Sequence, residues 1–183
     1  AASQVAAAAV PVDVAIVSTM DVPVTSRLTG RADPVRKAEV RPQVSGIILK
    51  RLFTEGSIVE EGQQLYQIDP ALYEAAVDSA KAQLESANAT LTSTSLRYER
   101  YKKLLKSNAI SKQDYDDSEA AYLQAKASVN SAKAQLKTAE INLAYTKVYA
   151  PISGRIGKSD FTEGALVSAQ QTNPLATIQQ LDP

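Results

Sequence analysis

Few side chains in this 183-residue sequence could carry out acid, base or metal chemistry, because it contains no histidine and no cysteine. Those two residue types supply the commonest general base, the commonest transition-metal ligand and the thiol nucleophile. The remaining candidates are two adjacent carboxylate pairs, Glu60-Glu61 and Asp116-Asp117, which could suggest acid–base or metal chemistry. Both pairs fall in turn or exposed-helix contexts without convergent partners, so we expect solvated surface, no cofactor and no enzyme activity.

A second set of informative residues surrounds an expected bend between Lys106 and Ser111. Ser107-Asn108 have the composition of a turn. Ser111 can cap the helix that follows by accepting a hydrogen bond from the backbone N–H of Asp114. The sequence therefore predicts a short, well-defined connection between two helices.

Apolar and basic residues occur together at the same bend. Arg97, Arg100 and Leu104 form a stripe on the flank of the helix, and Ile110 lies in the connection. Leu104 and Ile110 would leave apolar surface at the end of a long polar helical pair, which indicates docking of another helical pair. The alternative is that both residues only fill the bend and that Arg100 is a solvated helix charge.

Two long helices must position this bend. Asp69 is a favourable N-cap, Pro70 is a favoured first helical residue, and no further glycine or proline occurs before Pro151. Alternating steps of four and three residues mark one apolar seam over residues 73–105 and another over residues 115–143. The pattern predicts an antiparallel coiled-coil hairpin whose arms of about 36 residues reach roughly 50 Å.

The two seams match in side-chain size if the arms fold back about Ile110. Residues whose numbers sum to 219 or 220 should then face each other. Recurrent small layers would let the helices approach toward the lower end of the ~8–10 Å interaxial range. The large layers are Val77/Leu143, Leu84/Leu136, Leu91/Val129, Tyr98/Tyr122 and Leu105/Tyr115, and the small layers are Ala80/Ala139, Ala87/Ala132 and Thr94/Ala125.

A repeated strand pattern flanks the helical region. Residues 44–56 recur at an offset of 108 as residues 152–164, including the pair Phe53-Thr54-Glu55-Gly56 and Phe161-Thr162-Glu163-Gly164. The offset then grows to 113, which matches Ile68-Asp69-Pro70 to Leu181-Asp182-Pro183 and predicts five extra residues near Ala169 to Pro174. Each half is too small to bury its own apolar face, so both should close one two-sheet β sandwich about a pseudo-two-fold axis.

These features closely resemble the periplasmic adaptor (membrane fusion) proteins of RND-type tripartite multidrug efflux pumps, in the HlyD superfamily. In that family the hairpin tip that engages the outer-membrane channel is marked by an arginine, a leucine four residues after the arginine, and a serine seven residues after the leucine. Arg100, Leu104 and Ser111 keep this spacing. The match spans about Val12 to Pro183. The resembling strings are Val40–Ile48, Arg100–Leu105 with Ala109–Gln113, Asn142–Val148 and Pro151–Gly157.

The resemblance implies an elongated α+β fold in which a split lipoyl-like β sandwich is interrupted by the hairpin. It implies partners as well: an inner-membrane RND transporter, a TolC-like outer-membrane channel that meets the tip at Arg100, Leu104, Ser111 and Ile110, and further copies in a trimer or hexamer. The location implied is the periplasm, with tethering to the inner membrane by an N-terminal anchor that this sequence does not contain. Twenty basic and twenty acidic residues cancel, which argues against nucleic-acid binding.

The expected domain organisation follows from the pattern and the resemblance together. Strands predicted at residues 12–17 and 22–28 lack partners, since a small sheet needs about three strands, and we assign them to an incomplete β-barrel or membrane-proximal domain. We therefore expect the sequence to be part of a longer adaptor. The expected segments are a flexible leader at 1–11, N-terminal strands at 12–37, lipoyl-like halves at 38–69 and 145–183, and the helical hairpin at 70–144.

Three other functions compete with this interpretation. A lipoyl or biotinyl carrier would need a modified lysine at the junction that here reads Ile68-Asp69-Pro70-Ala71. An adaptor of an ABC-type exporter, for type I secretion or macrolide efflux, shares the split domain but serves a different motor. A coiled-coil scaffold without a transport role is the third alternative.

Overall fold

The structure is a computed structural model, and it describes residues 9–23, 25–29, 33–169 and 171–181. The chain divides into two compact units, Ala1–Arg31 and Ala32–Pro183. Within the described residues the elements are β1 (Arg36–Val40), β2 (Gly46–Arg51), β3 (Ile58–Val59), β4 (Gln64–Ile68), α1 (Ala71–Lys106), α2 (Lys112–Ala144), β5 (Lys147–Tyr149), β6 (Gly154–Ile156), β7 (Leu166–Val167) and β8 (Ala176–Gln180).

The described residues of the first unit differ from the prediction. Residues 12–17, and 22–28 apart from residue 24, form no strand. Val12, Val14 and Ile16 are exposed, and no strand among the described residues pairs with this segment. The prediction placed the pairing partners of these strands outside this sequence, so it stays a prediction, as does the assignment to a barrel or membrane-proximal domain. The predicted leader lies largely outside the described residues.

The second unit contains a β sandwich in which each sheet combines strands from both repeats. One four-stranded sheet has the order β1-β8-β6-β3 and the other has the order β5-β4-β2-β7. All neighbouring strands are antiparallel. Neither repeat could form its sheet alone, so the predicted sandwich split by a helical hairpin is confirmed.

The buried core between the sheets is apolar and draws on both repeats. Ile48, Leu65, Ile156 and Ile178 are at most 1% exposed. The ring of Tyr66 is fully buried, and its hydroxyl lies 2.6 Å from Ser159 Oγ and donates to the backbone oxygen of Leu175 at 3.2 Å. Burial of the polar hydroxyl is thus accompanied by hydrogen bonds, as the low polarity of a core requires.

The strand register corrects the predicted offset in the last strand. Ile48 pairs with Ile68, and the repeat-equivalent Ile156 pairs with Ile178, so β8 follows β4 at an offset of 110 instead of 113. Gln63 and Gln171 still match at 108, because each accepts the backbone N–H three residues before it. Two extra residues, not five, therefore lie between Gln171 and β8. The offset of 113 was predicted because residues 181–183 resemble Ile68-Asp69-Pro70 in sequence, but they do not correspond to them in the strand pairing.

Pseudo-symmetric glutamates cross between the repeats. Glu55 Oε1 accepts the backbone N–H of Ser159 at 3.1 Å, and Glu163 Oε1 accepts that of Arg51 at 2.9 Å. The hydrogen bond from Ser159 is the main cause that lowers the pKa of Glu55, and the neighbouring Arg51 guanidinium lowers it further. Each half therefore supplies a glutamate that accepts a hydrogen bond from one backbone N–H of the other half.

The two helices form the predicted antiparallel hairpin. Every predicted seam residue is buried or half-buried, while most of the remaining helical positions are exposed. Asp69 accepts the N–H of Ala71 at 3.0 Å, and α1 begins at Ala71 with Pro70 as its cap, one residue later than predicted. At 1.5 Å per residue the 36 residues of α1 extend about 54 Å.

Neither helix of the described chain has the length and apolar content needed to cross a lipid bilayer.

Candidate functional site

The end of α1 at the hairpin tip is closed by a regular backbone motif. The N–H of Ala109 donates to the carbonyl of Leu104 at 3.0 Å, and the N–H of Asn108 donates to that of Leu105 at 3.1 Å. Asn108 has φ of 51°, the left-handed conformation that asparagine tolerates better than most residues. This is the Schellman arrangement, and it satisfies carbonyl groups that a helix end leaves without partners. The predicted turn at Ser107-Asn108 is confirmed.

The start of α2 is capped by Ser111, as predicted. Ser111 Oγ accepts the backbone N–H of Asp114 at 3.1 Å, and its hydroxyl lies 2.6 Å from Asp114 Oδ2, to which it donates. The side chain of Ser111 is thus used within the tip. Its contribution to any partner contact would come through the geometry of the connection.

A cluster of tyrosines joins the two helices just behind the tip. The ring of Tyr98 stacks on Tyr122, with centroids 5.2 Å apart and planes 6° from parallel, which confirms the predicted layer. Tyr115, predicted to face Leu105, also lies against Tyr98 at 5.7 Å, and the two hydroxyls are 3.2 Å apart. That hydrogen bond is the main cause that raises the pKa of Tyr98, and desolvation of the Tyr98 hydroxyl raises it further. The cluster fixes the distance between the helices where the connection begins.

Two cations on α1 lie over tyrosine rings of the same helix. Arg97 Cζ is 5.1 Å from the centroid of Tyr101, and Lys102 Nζ is 5.7 Å from that of Tyr98. Both distances are within the range of cation–π attraction. The spacing of four residues on one helix makes such pairs possible and could have signalled them in the sequence.

The structure places the four predicted partner-binding residues within one turn or two of the tip. Arg100 is exposed, and its side chain forms no ion pair or hydrogen bond with any residue that the structure describes. Leu104 and Ile110 are half-buried, so they expose less apolar surface than the sequence suggested. They fill the bend in part and leave part of their surface at the tip, and Ser111 caps α2 beside them.

The two carboxylate pairs lie on the surface of the described chain. Glu60, Glu61, Asp116 and Asp117 are all exposed. No group of three or more carboxylates among the described residues is placed to hold a metal ion. At the junction where a carrier domain would present a lysine, the chain passes through Asp69 into α1.

The comparison with protein families decides the identity of this fold. The family model described as RND MFP, barrel-sandwich hybrid domain, matches residues 36–179. This range includes both halves of the sandwich and the whole hairpin. The chain belongs to the RND membrane fusion protein family. The family resemblance drawn from the sequence is thereby confirmed.

Curated relatives agree with this membership of the RND membrane fusion protein family. The chain is 59% identical over 178 residues to the antibiotic efflux pump periplasmic linker protein ArpA of Pseudomonas putida, covering 97% of this chain and 44% of that protein. It is 58% identical over 172 residues to the multidrug efflux pump subunit AcrA of Escherichia coli K12, covering 94% of this chain and 43% of that protein. The chain thus spans less than half the length of these relatives.

Solved structures share the fold. ZneB from Cupriavidus metallidurans matches with a TM-score of 0.59 and 26% identity, over 82% of this chain and 63% of that one. MacA from Actinobacillus actinomycetemcomitans matches with a TM-score of 0.52 and 28% identity, over 81% of this chain and 50% of that one. The split sandwich with an inserted hairpin is therefore an architecture that other proteins of known structure also adopt.

Proposed function

We propose that this RND membrane fusion protein is the periplasmic adaptor of a tripartite drug efflux pump. It would bridge an inner-membrane RND transporter to a TolC-like outer-membrane channel, which its hairpin tip would bind. The names of its relatives support this proposal: ArpA is a periplasmic linker of an antibiotic efflux pump, and AcrA is a multidrug efflux pump subunit. An N-terminal tether to the inner membrane belongs to the same proposal.

The observation that carries the docking proposal is the tip itself. A Schellman turn, a serine cap and a tyrosine cluster hold the connection in one geometry, yet Arg100 beside it is exposed and has no partner in the described residues. A guanidinium can form paired, charge-assisted hydrogen bonds to carboxylates or carbonyl groups of a channel. Leu104 and Ile110 add apolar surface that a partner can desolvate.

Site-directed cross-linking tests the proposal directly, because the chain contains no cysteine that would interfere. Leu104→Cys and Ser111→Cys variants would be produced in the periplasm of a Gram-negative host together with an RND transporter and an outer-membrane channel. We expect channel adducts from both positions. Gln83→Cys is the matched control, since Gln83 is exposed in the middle of α1. Adducts from Gln83→Cys without adducts from the tip would reject the proposal.

The ABC-exporter alternative is not favoured, because the matching family is that of RND membrane fusion proteins. A carrier function is not favoured either, since residues 68–71 contain no lysine to modify.

A further inference from the structure

We infer that α1 contains a flexible joint at residues 86–95, where the helix opens locally and the hairpin bends. The joint lies between the sandwich and the tip, so the tip would move sideways while both ends of the hairpin keep their contacts. Four observations carry the inference: the residue types of the joint, the hydrogen bonds of its hydroxyl groups, the small seam layers beside it, and the contacts that fix the hairpin on either side.

The joint has a composition that disfavours a helix. Seven of its ten residues are Ser, Thr or Asn, and no charged residue occurs between Glu85 and Arg97. Ser, Thr and Asn are weak helix formers, because their short polar side chains compete for backbone hydrogen bonds. Without charges, the joint also lacks the ion pairs between residues four apart that stabilise exposed helices. Residues 124–133 of α2, which lie at the same level by the seam relation, contain only three Ser or Asn residues and include two lysines. The intrinsic preference for helix is therefore lower in α1 than in α2 at this level.

The hydroxyl groups of the joint weaken the helix further. Five of them, on Thr90 and on residues 92–95, donate to carbonyl groups of the preceding turn at 2.9–3.1 Å. The carbonyl of Thr90 accepts from both Ser93 and Thr94. A helix carbonyl that also accepts a side-chain hydroxyl is drawn away from its backbone N–H donor, and such bonds slightly destabilise and often bend a helix. Their concentration in one turn and a half marks the joint as the place where α1 yields most easily.

The seam beside the joint is formed mostly by small side chains. The joint contributes Ala87, Leu91 and Thr94 to the seam, and all three are half-buried. Ala87 and Thr94 remove little apolar area from water, so they contribute little to the stability of the helical pair. The aromatic ring of Tyr98 in the next layer toward the tip buries more. Packing therefore offsets the low helix preference less at the joint than at the tyrosine cluster.

The hairpin is fixed on both sides of the joint. Tyr73, in the first turn of α1, packs against the sandwich core, and its hydroxyl donates to the carbonyl of Ser45 at 2.7 Å. Tyr98, beyond the other end of the joint, stacks on Tyr122 and so ties α1 to α2 near the tip. Hinges absorb a change of backbone conformation at a few positions between rigid parts. Movement of the tip relative to the sandwich is therefore concentrated at the joint.

A small bend at the joint moves the tip by several ångströms. The part of α1 from Thr92 to Lys106 extends about 21 Å at 1.5 Å per residue. A bend of about 10° at Thr92 would therefore shift the tip sideways by about 4 Å. This movement would let Arg100 and Leu104 reach a channel whose binding surface is not aligned with the sandwich. That consequence rests on the proposed function, whereas the joint itself follows from the hairpin alone.

Amide hydrogen exchange of the chain, resolved residue by residue with NMR spectroscopy, tests the local opening. After correction for intrinsic rates, we expect the amides of residues 90–96 to exchange about tenfold faster than those of residues 76–84 of α1 and residues 124–130 of α2. Equal protection of the three stretches would overturn the inference. Protection that falls evenly from the sandwich to the tip would overturn it as well, because it would indicate fraying from the end of the hairpin.

Two matched pairs of substitutions test whether the hydroxyl groups of the joint are the cause. Thr92→Ala with Ser93→Ala removes two such groups from the joint, and Thr138→Ala with Ser128→Ala removes two that make the same kind of bond on α2. All four side chains are exposed. We expect the first pair to slow the exchange of residues 90–96 about fivefold and the control pair to change it by less than about twofold. Equal slowing by both pairs would assign the exchange to opening of the whole hairpin and overturn the inference.

Residual dipolar couplings of the backbone amides test the bending. In the parent chain the couplings of residues 97–106 should give a smaller alignment order than those of residues 72–84, because the tip samples more orientations. Thr92→Ala with Ser93→Ala should bring the two values closer together. One alignment order for both stretches of the parent chain would show that the hairpin is a single rigid rod, and would overturn the inference.

The outcome is separable from that of the channel experiment. Fast exchange and reduced alignment beyond the joint, without channel adducts from Leu104→Cys, would support the joint and reject the docking proposal. Channel adducts from Leu104→Cys with a uniformly protected, rigid hairpin would leave the docking proposal standing and overturn the joint.

Discussion

The sandwich and the hairpin of this chain are stabilised in different ways. The sandwich encloses large apolar side chains between two sheets, and residues such as Leu65 and Ile178 have no exposed surface. The hairpin has only one internal seam. Its buried residues are few and mostly small: Val77 on α1, and Ser118, Ala125, Val129 and Ala132 on α2. A helical pair cannot bury more than one side of each helix, so its outer surfaces remain available to partners. The difference separates a part of the molecule that maintains the fold from a part that presents surfaces.

The largest loss of stability is expected from a substitution in the sandwich core. Leu65→Ala should cost about 3 kcal/mol of unfolding free energy, because a fully buried side chain leaves a cavity. Leu136→Ala in the half-buried hairpin seam should cost about half as much, since the exposed seam can relax. Urea denaturation followed by circular dichroism measures both. Equal losses would show that the two regions do not differ in the way described.

A glycine pair sharpens the comparison within the sandwich. A Cβ on residue 154 would lie 2.6 Å from the backbone oxygen of Gln179, whereas a Cβ on the repeat-equivalent Gly46 would lie 2.7 Å from the Cγ2 methyl of Ile68. Backbone in β8 cannot move aside as a side chain can. Gly154→Ala should therefore lower stability by about 2 kcal/mol, and by more than Gly46→Ala. Thermal unfolding of the two variants provides the test, and the reverse order would contradict it.

At the tip a smaller effect is expected. Ser111→Ala removes the side chain that caps α2 and should cost about 1 kcal/mol. Ser107→Ala is the matched control, because Ser107 Oγ only donates to the carbonyl of Leu104 within α1. Its loss should stay within about 0.5 kcal/mol. Amide hydrogen exchange in the first turn of α2 would locate the change, and equal exchange in the two variants would argue against the cap.

The smallest of these effects is a pH dependence of stability, which we expect from the glutamates that cross between the repeats. The folded-state pKa of Glu55 lies below its usual 4.5, so its charge contributes stability above that value, and this is lost as the pH falls through the folded-state pKa. Glu55→Gln should therefore lower the melting temperature slightly at neutral pH. The difference from the parent protein should shrink as the pH is taken below 4.5. If the difference in melting temperature between Glu55→Gln and the parent protein instead grows on acidification, the stabilising role of the Glu55 charge is contradicted.

Much of the fold could be predicted because its signals are periodic. The 3,4 spacing located every seam residue from Tyr73 to Leu143, and the size match of Tyr98 with Tyr122 is observed as a stacked pair. The 108-residue repeat identified the two halves of one sandwich.

The rest depended on three-dimensional pairing. The offset of β8 follows from the pairing of Ile156 with Ile178, which a similar string at residues 181–183 concealed. The partial burial of Leu104 and Ile110 depends on how the Schellman turn folds over the helix ends, and no spacing rule gives it. The described residues before residue 30 form no strand, because β propensity without a pairing partner does not make a strand, and the sequence pattern placed those partners elsewhere.

The central claim is that the tip acts by binding and not by holding the fold together, and Arg100→Ala tests it most directly. Arg100 has no partner among the described residues, so its removal should change the unfolding free energy by no more than about 0.5 kcal/mol. Drug resistance conferred on a host that lacks its own adaptor should nevertheless fall sharply. Full resistance with Arg100→Ala, or a loss that only follows a matching loss of stability, would contradict the account.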